Sequence, residues 1–246
     1  MGRGPGRGRS GRCRIRRRGR QRRRPAGQRP RHRLASQGWV CVSANYRLLS
    51  AGSADPLIDV KKLIAWVREH SREYGLDPNA VFLAGSSAGG HLASLAAFTP
   101  NDPLCQPGFE SADTSVAGVI TLYGYYGPVG SDQPPSSRLA YSTTKAPPCF
   151  VVHGDQDTLV IVEDARGFAG QLRATSTNPV VYAELPGAQH GFDLFRSRRF
   201  DTVVDAIGHS PPTSDPDTPP VFRPSGLIAR RRSALLIVCP RLVRGR

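Results

Sequence analysis

A chain of 246 residues that is 39% hydrophobic is long enough for one domain with a substantial core. Its formal net charge of +15 suggests a partner such as nucleic acid, but residues 1–33 carry 15 arginines and no acid, residues 34–208 carry 12 basic against 17 acidic side chains, and residues 209–246 carry 7 basic against 2 acidic. A mildly acidic body between two basic ends excludes a fold built as a whole to grip a polyanion.

Met1 to Arg33 alternates Arg, Gly, Pro and Gln with almost no apolar residue, so it cannot bury enough surface to offset the entropy of ordering. Residues 1–33 are therefore expected to be a disordered head. It has no aromatic interleaving and no readout motif, which predicts polyanion binding by simple electrostatics and no specific nucleic-acid partner. No apolar stretch follows it, so it is neither a secretory nor a twin-arginine signal. The tail, residues 209–246, is rich in Pro, Ser and Asp and then basic, and is also expected to be disordered. Its apolar run Ala234–Val238 is too short to span a bilayer.

Between these ends, residues 34–208 read as one α/β domain. Trp39 to Ala44 reads as a strand leading out through Tyr46-Arg47-Leu48, and Ile58 to Tyr74 as a helix. Asp77-Pro78-Asn79 reads as a turn and lacks the spaced oxygen series of a calcium loop. Val81 to Ala84 is a short apolar strand and Gly90 to Phe98 a helix. Val116 to Tyr123, Phe150 to His153 and Val180 to Leu185 are further strands. Val162 to Arg173 is a helix, with Glu163 and Asp164 as first-turn carboxylates that suit its dipole. Arg199 to Ile207 begins a last helix. Gly124 to Pro148, rich in Pro, Ser and Gly, reads as a cap or substrate loop. The alternation predicts a doubly wound, mainly parallel sheet. Five scattered cysteines, among them Cys41 and Cys149 as buried thiols, fit a reducing, cytoplasmic compartment and no metal site.

The most informative stretch is Gly85-Ser86-Ser87-Ala88-Gly89. A G-x-S-x-G between a buried strand and a helix is a nucleophile elbow, with Ser87 at the apex. Centring it on Ser86 would require glycine at position 84, which is Ala84. Gly85 and Gly89 supply the room that a sharp strand-to-helix turn needs. Past the later strands come His153-Gly154-Asp155-Gln156-Asp157 and Gly187-Ala188-Gln189-His190-Gly191-Phe192. Ser87 as nucleophile, an aspartate as orienting acid and His190 as base make a serine-hydrolase set. Asp155 competes with Asp157 for the acid. His153 and His91 read as structural.

His153-Gly154-x-x-Asp157 and Gly187-x-x-His190-Gly191-Phe192 resemble the acid and histidine loops of bacterial carboxylesterases and lipases of the α/β-hydrolase superfamily, of the hormone-sensitive-lipase-like or BD-FAE-like kind. Asn45-Tyr46-Arg47-Leu48, Trp66 in its helix and the approach Tyr74 to Asn79 resemble the same family, and the likeness covers residues 34 to 208. The resemblance implies an α/β-hydrolase fold, a Ser87–Asp157–His190 triad with Asp157 favoured by the family spacing, and hydrolysis of small carboxylic esters with short or medium acyl chains. It implies no cofactor. The family also places a His-Gly-Gly-type loop, and the strand before it, upstream of the Trp39 strand; this loop shares the oxyanion hole with the backbone N–H of the residue after the nucleophile, here Ala88. Nothing in residues 1–33 matches it. The fold is therefore expected to lack N-terminal strands, and both ends fit translation from a shifted frame or a misassigned start. The competing readings are a crippled hydrolase fragment and a basic-armed binding protein on a dead hydrolase scaffold.

Overall fold

The protein is described from a computed structural model that covers residues 14–15, 33–35, 38–47, 55–126, 146–194, 197–208 and 232–240. Along the chain these give β1 (Arg14–Ile15), β2 (Val40–Tyr46), α1 (Asp55–Glu69), α2 (Ser71–Tyr74), β3 (Leu76–Ser86), α3 (Ala88–Phe98), β4 (Gly118–Leu122), β5 (Cys149–Gly154), α4 (Val162–Thr175), β6 (Val180–Leu185), α5 (Arg198–Gly208) and β7 (Arg232–Pro240). The strands form one seven-stranded sheet in the order β1-β2-β7-β3-β4-β5-β6. Every pairing is parallel except β1 with β2.

The strands read as continuous apolar runs because both faces of the sheet are covered, as a parallel sheet requires. Val81 and Leu83 of β3, Val119 of β4 and Val151 of β5 join one buried cluster with α1, α3 and α4. Phe82, Ile120, Phe150 and Val152, one residue out of phase, join a second cluster with Val203, Val204 and Ile207 of α5. The two-residue period of the strand divides the core into these layers. On α1 the apolar residues Leu57, Val60, Ile64 and Val67 repeat at helical spacing and are all at most 4% exposed. Arg47, just past β2, clamps α1 by donating from Nε and Nη2 to the two Asp59 carboxylate oxygens at 2.9 and 2.8 Å.

Several boundaries differ from the sequence reading. The single helix expected to Tyr74 breaks at His70, and Gly75 closes α2 in the left-handed region at φ 64°. The expected turn at Asp77 lies inside β3. It is an irregularity between Leu76 and Val81 in the pairing with β7, where Asp77 Oδ1 accepts from the Asn79 N–H at 2.9 Å. Cys149 is buried, but Cys41 is only half-buried.

The two ends require a larger correction. Most of the head and tail, and residues 127–145 of the expected cap, lie outside the described residues. Within the ends, Arg14–Ile15 pairs with β2 and Arg232–Pro240 is an internal strand. β7 runs parallel between β2 and β3, with Ala234 opposite Val40 on one side and Val81 on the other. The apolar run Ala234–Val238 thus joins β2 to the rest of the sheet.

Candidate active site

A parallel sheet ends all its strands at one carboxyl edge, and there the connecting loops converge. β3 ends at Ser86, β4 at Leu122, β5 at Gly154 and β6 at Leu185. The residues singled out from the sequence lie on the segments leaving this edge.

Ser87 caps α3 with φ 52° and ψ −124°, a left-handed conformation that costs a non-glycine residue about 1–3 kcal/mol and clusters at functional positions. Its N–H donates to the Leu122 carbonyl at 3.0 Å, which ties the turn to β4. The elbow closes only because Gly85 has no side chain: a Cβ there would stand 2.1 Å from the Gly89 carbonyl oxygen. Ala88 opens α3, so its N–H is one of the first-turn donors without an intrahelical acceptor, at the positive end of the helix dipole.

His190 lies between Ser87 and Asp157. Its Nε2 is 2.9 Å from Ser87 Oγ and its Nδ1 is 2.7 Å from Asp157 Oδ2. A carboxylate only accepts, so Nδ1 carries the proton and Nε2 is left to accept from the serine hydroxyl. Asp157 is 6% exposed, and its other oxygen accepts from the N–H groups of Leu159 and Val160, both at 2.9 Å. The carboxylate is therefore fixed at both oxygens. His153, fully buried, donates from Nε2 to the Val160 carbonyl at 2.9 Å and lies 3.5 Å from Asp157 Oδ2. It braces the acid loop from below.

Asp155 does not face His190. It accepts from the Gly187 N–H at 2.6 Å and so joins the acid loop to the histidine loop. The two loops also meet where a Cβ on Gly154 would fall 2.3 Å from the Ala188 carbonyl oxygen. His91 is buried, with Nδ1 at 3.3 Å from the Tyr125 carbonyl.

Two residues that sequence reading passed over complete the surroundings. Tyr123, the first residue after β4, has φ 38°, is buried, and presents its ring edge-to-face to His190 at 4.6 Å between centroids. Its hydroxyl donates to Asp193. Burial chiefly, with the Asp193 charge, pushes the Tyr123 hydroxyl far above its usual range, so it stays protonated. Burial also raises Asp193, opposed by the Tyr123 hydrogen bond and by His190. The available sequence signals were an aspartate three residues after His190 and a tyrosine at a strand end, and neither is specific.

Among the described residues no group of three or more His, Cys, Asp and Glu side chains is placed to hold a metal ion. No described helix is long and apolar enough to cross a membrane.

The BD-FAE family profile matches residues 19–133. The chain is 46% identical over 201 residues to the probable carboxylic ester hydrolase LipM of Mycobacterium tuberculosis, covering 71% of this chain and 47% of LipM. It is 40% identical over 202 residues to esterase LipQ of the same organism, covering 71% of this chain and 48% of LipQ. The chain spans about half the length of these curated relatives. Among solved structures, Thermogutta terrifontis esterase 2 phosphorylated by paraoxon matches with TM-score 0.64 at 25% identity, over 71% of this chain and 70% of that one. The propionate-bound form matches with TM-score 0.59 at 26% identity, over 72% and 71%.

Proposed function

We propose that this chain, which belongs to the α/β-hydrolase superfamily with bacterial esterases as its relatives, cleaves carboxylic esters through an acyl-enzyme on Ser87. The observation that carries the reading is the continuous line Ser87 Oγ, His190, Asp157, with separations of 2.9 and 2.7 Å.

The chemistry follows from that line. As Ser87 Oγ attacks the ester carbonyl carbon, its proton passes to His190 Nε2. Asp157 holds the ring in the tautomer that can accept this proton and stabilises the imidazolium that results. The carbonyl oxygen becomes an oxyanion, and the Ala88 N–H donates to it at the helix's positive end. Collapse breaks the bond to the alkoxy group, which leaves as the alcohol with the proton from His190. Water then gives a proton to the same nitrogen as it attacks the acyl carbon; collapse breaks the bond to Ser87 Oγ, which takes that proton back from His190, and the carboxylic acid leaves.

Short or medium acyl chains are the proposed substrates. The propionate bound to Thermogutta terrifontis esterase 2 supports that class. A fluorophosphonate probe should label Ser87 and the chain should hydrolyse p-nitrophenyl butyrate, with both lost in Ser87→Ala. Labelling that persists undiminished in Ser87→Ala would overturn the assignment.

A further inference from the structure

We propose that Tyr123 and Asp193 form a positioning pair that holds the His190 loop in register with Ser87 and adds a second carboxylate to the surroundings of the imidazole. The pair deepens the esterase reading and rests on it.

The first argument is mechanical. His190 is held at its ring by Asp157 and Ser87, contacts that do not themselves fix the backbone of its loop. Three residues on, Asp193 accepts a hydrogen bond from the Tyr123 hydroxyl, so the short segment is pinned at both ends. Within it, Gly191 turns the chain at φ 76° and its carbonyl accepts from the Leu194 N–H at 2.9 Å. The Tyr123 ring then closes one side of the imidazole, at 4.6 Å and 61° to it, and packs at 4.9 Å on Phe192.

The second argument is strain. Tyr123 is a buried aromatic residue at positive φ, a conformation that persists only where its surroundings over-determine it. Its own N–H donates to the Val152 carbonyl at 2.7 Å. The preceding residue, Leu122, accepts from the N–H of Ser87, the other strained residue at this edge. One short stretch after β4 therefore sets both the serine turn and the histidine loop. A relaxed φ at Tyr123 would swing its ring away from His190.

The third argument is electrostatic. Asp193 is joined through the Tyr123 hydroxyl to the ring that packs on His190, and the His190 charge favours its ionised form. When His190 accepts the serine proton, the imidazolium faces Asp157 at Nδ1 and Asp193 nearby. The Tyr123 hydroxyl keeps the Asp193 carboxylate solvated in place of water. Tyr123, His190 and Asp157 are the titratable groups that share this cluster.

The test uses the full chain with its aspartate carboxyl carbons labelled for NMR, the Asp193 signal being assigned by its loss in Asp193→Asn. Its titration midpoint should rise in Tyr123→Phe, which keeps the ring and removes only the donor, and in His190→Gln, which removes the neighbouring imidazole, each by about half a pH unit or more. With p-nitrophenyl butyrate, Tyr123→Phe and Asp193→Asn should each lower kcat roughly tenfold, the scale of one hydrogen bond to a charged group, and leave KM within about twofold. A midpoint unmoved in His190→Gln, or kcat unchanged in both conservative variants, overturns the pair. A wild-type chain with no esterase activity refutes the esterase reading instead, and the Asp193 titration still decides whether the pair is coupled to His190.

Discussion

Gly154 lies directly against the main chain of Ala188: a Cβ at Gly154 would stand 2.3 Å from the Ala188 carbonyl oxygen and 2.7 Å from its carbonyl carbon. The end of β5 and the histidine loop are therefore in backbone contact, and the spacing of Asp157 and His190 depends on that contact. Gly154→Ala must push the loop outward, because backbone cannot step aside as a flexible side chain does. We expect a loss of about 1–3 kcal/mol in stability by urea denaturation, with a fall in kcat that exceeds any rise in KM. An unchanged midpoint and unchanged kcat would show that the loop relaxes freely.

Asp157 and Asp155 are separated by their partners. Asp157→Asn presents an amide to His190 Nδ1 and favours the wrong tautomer, so turnover should fall by roughly 10⁴-fold with little change in KM. Asp155→Asn keeps an oxygen that can accept from the Gly187 N–H and should cost less than about tenfold. Steady-state rates on p-nitrophenyl butyrate give the ranking, and the reverse order would move the orienting role to Asp155.

Lys61 is fully buried, with Nζ donating to the Thr99 carbonyl and, at 3.3 Å, near Thr114 Oγ1. Burial lowers its pKa from 10.5 to about 8. Between those values the unfolded chain holds more protons than the folded one, so this group makes stability rise with pH from about 8 to 10.5. Cys149, raised from 9.0 to about 12 by burial, acts in the opposite sense. The Lys61 contribution is isolated by comparison with Lys61→Met. The difference in urea midpoint should move in favour of the wild type as pH rises through that window, and a constant difference would refute the assignment.

β2 is paired on one side with the two residues of β1 and on the other with β7 over its whole length. Truncation after Gly208 removes β7, leaves β2 attached by the Arg47–Asp59 clamp and side-chain packing, and opens an edge of β3. The truncated chain should lose its cooperative urea transition, followed by far-UV circular dichroism, or aggregate. A transition with the same midpoint as the full chain would show that β7 contributes nothing to stability.

What the sequence reveals about this fold depends on the range of the interaction involved. The elbow is visible because all its determinants lie within a few residues: a buried strand, Gly85 against Gly89, then helix formers. The two loops that carry Asp157 and His190 are visible for the same reason, each following an apolar run closely. Tyr123 and Asp193 are 70 residues apart, and nothing local marks either as the other's partner. The extent of β3 is not legible locally because Pro78 and Asn79 are turn formers, while tertiary pairing of Leu76 with Arg232 carries the strand through them. The strand in the tail is not legible in the sequence because an apolar run of five gains its meaning only from a slot that distant segments create.

That slot also bears on the order of synthesis. β7 is the last of the described elements to be translated, yet it lies in the interior of the sheet, between strands made far earlier. Val40 meets its partner Ala234 only after every other described strand has appeared. On the ribosome, then, β3 to β6 can assemble while β2 waits with the edge that β7 fills still open. Contacts of such sequence separation slow folding, and an exposed strand edge in the interval invites pairing with other chains. The yield of native protein in the cell should therefore depend on chaperone supply during and just after translation.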